Sequence, residues 1–497
     1  MQRQGNAQIL YRVTYIYLAL PLFLFLLTWL NFGFAALFGL VLGLAFYKML
    51  QTNTEQTADF HLSRKMLISA GGLAFIWCFF AGIGYFYYQS FDYHFRNAVF
   101  RDLINYEWPV MYDKANTPLV YYMGFWLFPA LITKVIALFS VSLNTLFFIG
   151  NIFLFIYAVL GATLIFLHIG LIVQAKNVKQ FLIAILIFML FSGLDIIGYL
   201  FFQGGGQPFS YHLDWWAAYI QYSSLTTDMF WVFNQFIPAA LAVMLIYNER
   251  AIKNFGFLVP FILFLAPYPA LGICFLMFAF ILEAFYNTEQ KKEFITTEIF
   301  SIQNLIGVFW LLIPVILYFK TNSGGIDRFS FFTDFISFKQ LFIFIVLEFL
   351  LYVAVLFPYY KKSIIFNLCL ASLFIFPLIR IDQQNNLCMR TSMPILIMLS
   401  LFVLIFLFES FRENKNKFLR EVLMILLLLG AATPLMEFYR GFHYVAEARR
   451  LQLVKDELYT LNQAYARMPE FGYDVNHQFS AKNYKTDIFW QYLAKKH

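Results

Sequence analysis

Apolar runs separated by short polar connections recur along the whole chain. A helix needs about 20 apolar residues to cross a hydrocarbon core. On that measure the runs predict spans at 13–30, 32–50, 66–88, 145–172, 180–202, 229–248, 256–267, 269–286, 301–319, 340–358, 363–379, 394–410 and 421–437. The stretch 119–139 is apolar too, but it follows Pro118 and contains Pro129 and Lys134. Those residues suit an interfacial or interrupted helix better than a clean span. The expected fold is therefore an all-α polytopic membrane protein with about 13 transmembrane helices. Its transmembrane domain is 1–437, followed by a short tail, 438–497, in which Leu451, Val454, Leu458 and Leu461 predict a helix over about 445–465.

Composition agrees: of 497 residues 61% are hydrophobic and only 13% charged, against about 25% charged in a soluble domain. Charge placement adds orientation. Arg64/Lys65, Lys176/Lys179, Arg250/Lys253, Lys291/Lys292, Lys361/Lys362 and Arg412 to Arg420 all face the cytoplasm if 119–139 does not cross. The N-terminus is then inside. The loops 89–118, 203–228, 320–339 and 380–393 and the C-terminal tail are outside a bacterial plasma membrane. The first run follows Arg3 and Arg12 with no small-residue cleavage site after it, so it reads as a retained span. The net charge of +7 lies in these short connections and implies no nucleic-acid partner. Cys78, Cys274, Cys369 and Cys388 have neither disulfide nor metal-ligand spacing.

Three outer segments carry candidate chemistry. In the first, Phe95, Val99 and Leu103 recur at helical spacing, predicting an amphipathic surface helix over 93–105. Asp92 and Arg96 stand one turn apart on it. Asp92 is either a helix cap or a general base, with His94 and Asp102 as possible helpers. The second segment holds Gly204–Gly206, His212, Asp214, Trp215 and Trp216. Its tryptophans suit either sugar stacking or a membrane-interface belt, and its His and Asp give only a weak metal signal. Just before it, Asp195 interrupts an apolar run, as Glu348 does further on, and each needs a partner or a cavity. The third segment has Arg380 and Arg390 beside a span, placed to snorkel or to hold a lipid phosphate. No phosphate-binding loop, dinucleotide fingerprint or H-E-x-x-H is present.

In layout the chain resembles the GT-C class of multi-pass glycosyltransferases. The features that carry the resemblance are Asp92-Tyr-His94 in the first large outer loop, the helix 93–105, Pro118-Leu-Val-Tyr121-Tyr122, and many spans thereafter. The chain departs from that class in having two spans ahead of the usual first one, and Asp-Tyr-His where many members have adjacent acidic residues. The stretches Trp215 to Gln235 and Leu387 to Pro394 also look similar to segments of large uncharacterised bacterial membrane proteins.

The resemblance implies a polyprenyl-phosphate sugar donor and inverting transfer to a lipid, glycan or protein hydroxyl. It implies Asp92 as base with Asp102 or Asp195 as second carboxylate, and Arg96, Arg390 and Arg380 toward the phosphate. His212, Asp214, Trp215, Trp216, Tyr121 and Tyr122 would lie toward the sugar or acceptor. A divalent metal, Mg or Mn, is optional in that class and its ligands are unassigned. A transporter or flippase of lipid-linked glycans, with half-helices around Pro267-Tyr-Pro269, is the rival class; a glycan polymerase or ligase is the closer rival. The threading itself is testable: Lys176→Cys should react with impermeant thiol reagent only from the cytoplasmic side, and labelling from outside would overturn it.

Overall fold

A computed structural model describes residues 2–52, 62–203, 212–322, 324, 330–381, 385–452, 458–466, 476–481 and 483–496. Gly204–Gly206 and Val454, named above, lie outside the described residues. The fold is all-α: among the described residues nine helices are long and apolar enough to cross a membrane, as in a multi-pass membrane protein. Among the described residues strand pairing comprises two short ladders, Met111–Tyr112 with Thr117–Pro118 and Ser330–Phe331 with Ile379–Arg380, and three isolated bridges.

Helices start where a short polar side chain can satisfy a free N–H. Asn31, Ser63, Ser142, Asn177 and Ser224 cap α2 (Phe32–Leu50), α3 (Arg64–Phe80), α6 (Leu143–Ile172), α7 (Val178–Met189) and α9 (Leu225–Glu249) in this way. Ahead of them, α1 runs Gln2–Trp29. α9 is the axial helix, buried almost throughout and packed on α1, α6, α10 (Phe255–Leu265), α11 (Pro267–Asn287) and the helix Met393–Glu413.

Several boundaries differ from expectation, for backbone reasons. The span predicted to 88 stops at Phe80, because Gly82 and Gly84 at φ 72° and 75° turn the chain away. The run 180–202 is two pieces, α7 and α8 (Asp195–Gln203), separated at Leu190–Leu194. The last span continues past 437: Lys417–Gly430 and Ala432–Arg450 join at Ala431. The tail helix expected over 445–465 is corrected, since the helix ends at Arg450, Leu451 is exposed, and Leu461–Ala466 is a separate short helix.

α5 (Gly124–Ala137) has 14 residues, about 21 Å of helix. Before it, the Tyr121 N–H donates to Tyr318; in its last turn Lys134 donates to the carbonyls of Ile104 and Tyr106. The chain just before α5 also gathers the tail: Val120 N–H donates to Phe479 O, Thr117 Oγ1 to Ala481 O, and Asn322 Nδ2 to Val120 O. Residues near 493 close over the first helical hairpin, with Asn31 N–H donating to Leu493 O at 2.8 Å and Lys495 N–H to Trp29 O at 2.8 Å. The opposite end joins Thr14, His168, Asn248, Tyr15 and Glu249, with Arg412 donating to Val173 O.

The break before α8 brings two main chains together, with Leu194 N–H donating to Leu347 O at 3.0 Å. A Cβ on Gly193 would stand 2.1 Å from Glu348 Oε2 and 2.9 Å from Glu348 Cα. Gly193→Ala should therefore lower stability by about 1–3 kcal/mol, the usual range for forced overpacking. A melting curve in detergent identical to that of the parent chain would refute this.

Candidate functional site

α4 (Asp92–Asn105) does not lie on the surface: Arg96, Arg101 and Asp102 are buried along with Phe95, Val99 and Leu103. Phe91 occupies its N-cap position without a side-chain bond, so Asp92 is not a cap. Asp92 Oδ2 instead accepts from Arg96 at 2.7 Å, and Asp92 is the more open partner, 36% exposed against 4% for Arg96. The other face of the Arg96 guanidinium donates to the Trp231 carbonyl and lies close to Tyr121 and Tyr122. The two tyrosine rings are 3.9 Å apart, and Arg390 donates to the Tyr122 hydroxyl at 3.1 Å.

Burial opposes ionisation of Tyr122. The charges of Arg390 and Arg96 and hydrogen bonds with Tyr121 and Arg390 outweigh it and hold the phenol below the ordinary tyrosine range. A second guanidinium beside the first makes this pocket of side chains a place for negative charge. Arg390 Nε, Asp228 Oδ2 and both carboxamides of Asn234 and Gln235 are buried there and along α9 with no partner among the described residues.

A second cluster is acidic. Asp195 opens α8, and its Oδ2 accepts from Ser192 at 2.7 Å and Thr433 at 2.8 Å. Glu348 sits in a π-turn, Val346–Leu350, and accepts from Trp216 Nε1 at 2.8 Å. His212 Nδ1 meets Glu437 Oε1 at 2.7 Å and Nε2 faces Asp214 Oδ2 at 3.6 Å. Glu437 also accepts from Arg440 at 2.8 Å and from Trp231 Nε1 at 3.0 Å. Burial, then the charges of Asp195 and Glu437, push Asp214 well above the usual carboxylate range.

Trp231 joins the clusters. The α-helical ladder breaks at Val232 (φ −139°, ψ 40°), and the Trp231 carbonyl beside the break receives Arg96. Its indole reaches Glu437 and stacks on His212 at 4.9 Å.

The structure therefore unites Asp92, Arg96, Arg390, Tyr121 and Tyr122 in one place, and Asp195, His212 and Asp214 in the adjoining one. Other predicted residues go elsewhere. Asp102 is corrected from helper carboxylate to tail anchor: it accepts from Tyr112 at 3.0 Å and from Leu461 N–H at 2.9 Å. His94 packs between Phe91 and Phe95. The Arg380 guanidinium lies over Tyr219 and Phe335. Trp216 is corrected as a sugar face, because its ring is 2% exposed and pressed on Gly198; Trp215 is the open one, 44% exposed. Tyr121 is likewise buried and Tyr122 half-buried, and both lie against the arginines.

Sequence reading missed Glu437, Arg440, Trp231 and Asp228. The i, i+3 spacing of Glu437 and Arg440 at the end of an apolar run was the available signal.

No family model, curated protein or solved structure matches this chain.

Asp102 supplies a pH test. Burial, opposed by hydrogen bonds from Thr460, Leu461 and Tyr112 and by the charge of Arg101, raises its pKa to about 7. A carboxyl raised in the docked state keeps a proton that the free state releases near its ordinary 3.8, so docking weakens as pH rises from about 4 to about 7 and is constant above that. Hydrogen-exchange protection of 458–466, corrected for intrinsic rates, should fall between about pH 4.5 and 7 and level off above it. Protection that stays constant or rises would contradict this.

Proposed function

We propose that the chain is a membrane-embedded glycosyltransferase that moves a sugar from a polyprenyl-phosphate donor to a lipid, glycan or protein hydroxyl. The observation that carries this reading is the meeting of Arg96 and Arg390 at Tyr122, beside the more open carboxylate of Asp92. In the proposed step the acceptor oxygen attacks the anomeric carbon from the face opposite the phosphate. The new C–O bond forms as the bond to the phosphate oxygen breaks, and the configuration inverts. Asp92 takes the acceptor proton, and the phosphate leaves with the electron pair against the two guanidiniums. Pairing with Arg96 aims the Asp92 carboxylate, as a base requires. The same reading carries the 13 crossings, a cell-membrane location, a cytoplasmic N-terminus and the tail outside.

A second reading, transport of lipid-linked glycans, is favoured by one feature: interruptions in apolar helices at Leu190–Leu194, at Val232 and at Ala266 before Pro267. Broken helices serve alternating access. The same preparation separates the two readings. Asp92→Asn should lower transfer by about 10²–10⁴-fold, the usual contribution of a general base, while the protein stays membrane-inserted, with a lower melting temperature because buried Arg96 loses its charged partner. Transfer of radiolabelled sugar at the parental rate would remove Asp92 as base. Movement of labelled donor across vesicles that contain no acceptor would favour transport.

A further inference from the structure

The acidic cluster is under-compensated. Asp195, Asp214, Glu348 and Glu437 are all buried, and the cations placed in direct contact with them are His212, when protonated, and Arg440. With His212 neutral, as ligation through Nε2 requires, and one proton shared between Asp195 and Glu348, an excess of two negative charges stays in a low-dielectric interior, where it is strongly unfavourable. Two further protons or one divalent cation would remove it.

The geometry distinguishes these occupants. His212, Asp214 and Glu437 each offer a ligand atom, and these atoms lie within 4.8 Å of one another. His212 Nδ1 is engaged by Glu437 Oε1 at 2.7 Å, which fixes the imidazole and leaves Nε2 pointing at Asp214. A carboxylate on one ring nitrogen with the other turned to a ligand position is the usual way a metal-binding histidine is oriented. Nε2 and Asp214 Oδ2 are 3.6 Å apart. Two ligands of one tetrahedral ion with bonds of about 2.0–2.2 Å stand about 3.3–3.6 Å apart.

Asp214 Oδ2 is fully buried and has no hydrogen-bond partner among the described residues; its carboxylate is held from the other oxygen by Ser224 N–H at 3.2 Å. Asp195 and Glu348, close enough to share one proton between them, add negative charge nearby. Two protons would satisfy the charge but would give Asp214 Oδ2 no reason to face a ring nitrogen without bonding to it.

We infer that His212 and Asp214, with Glu437 orienting the imidazole, form a site for one divalent transition-metal ion. An imidazole in the set favours Zn²⁺ or Mn²⁺ over Mg²⁺, which prefers all-oxygen surroundings. The site adjoins the arginine pair through Trp231, so the ion sits beside the place of negative charge without being one of its ligands. This inference does not depend on the transfer reading.

The test is metal content and melting of the full chain in detergent, stripped with EDTA and then dialysed with Zn²⁺, Mn²⁺ or Mg²⁺ in turn. About one equivalent of Zn²⁺ or Mn²⁺ should be retained and should raise the melting temperature. His212→Gln and Asp214→Asn should each cut retention at least tenfold at the same metal concentration. Retention below a tenth of an equivalent with no shift in melting overturns the site, as does unchanged retention in both variants. If either variant fails to fold, the decision falls to the parent chain: reversible loss and return of the melting shift supports the site, and its absence overturns it. None of these measurements reads transfer, so failure here and failure of the proposed activity are separate outcomes.

Discussion

A guanidinium that stays charged and almost never meets water needs acceptors from the protein itself, and Arg96 sets that demand in the centre of this bundle. One acceptor is Asp92, supplied by the same helix. The other is a main-chain carbonyl that a regular helix would not release: in an unbroken α9 the Trp231 carbonyl would receive the Gln235 N–H. The break at Val232 makes it available, and the side chain of the same residue then binds Glu437. One residue therefore steadies a buried cation through its backbone and a buried anion through its indole. The positions of Tyr122, Arg390 and His212 follow from that junction, since each packs on or bonds to a group held by it.

The second constraint is close approach. Glu348 and Trp216 reach the acidic cluster because glycine stands where they cross, Gly193 just before α8 and Gly198 within it. A Cβ on Gly198 would meet the Trp216 ring at 2.3 Å. Small residues at helix contacts let backbones approach and let polar groups find partners inside a membrane protein. Here they place carboxylates from three separated stretches of sequence within one region.

Much of this was legible from residues alone, for definite reasons. Hydropathy located the long helices because burial in lipid demands unbroken apolar runs, and Asn31, Ser63, Ser142, Asn177 and Ser224 mark helix starts by a local bond. Asp92 and Arg96 were readable as a pair because one helical turn separates them. Glu437 reads as the end of the last span because Glu and Arg close the apolar run, although the backbone continues as helix to Arg450. The different fates of Trp215 and Trp216 depend on a short turn at Leu213–Trp215 whose facing no periodicity reveals. Trp231 carried no sign at all, since its part in the site comes from a backbone break with no proline or glycine at the break.

The closure of residues near 493 over Trp29 and Asn31 has a consequence in time. The Asn31 amide that donates to the Tyr492 carbonyl bridges 461 residues of chain. Synthesis at about 5–20 residues per second separates the two partners by about 20–90 s. During that interval the first hairpin is already inserted while the polar edge at its turn has no partner from its own chain. The contact of Asn31 with the segment near 493 thus closes well after the first hairpin has been made, so maturation of this end of the bundle is separated in time from insertion of that hairpin.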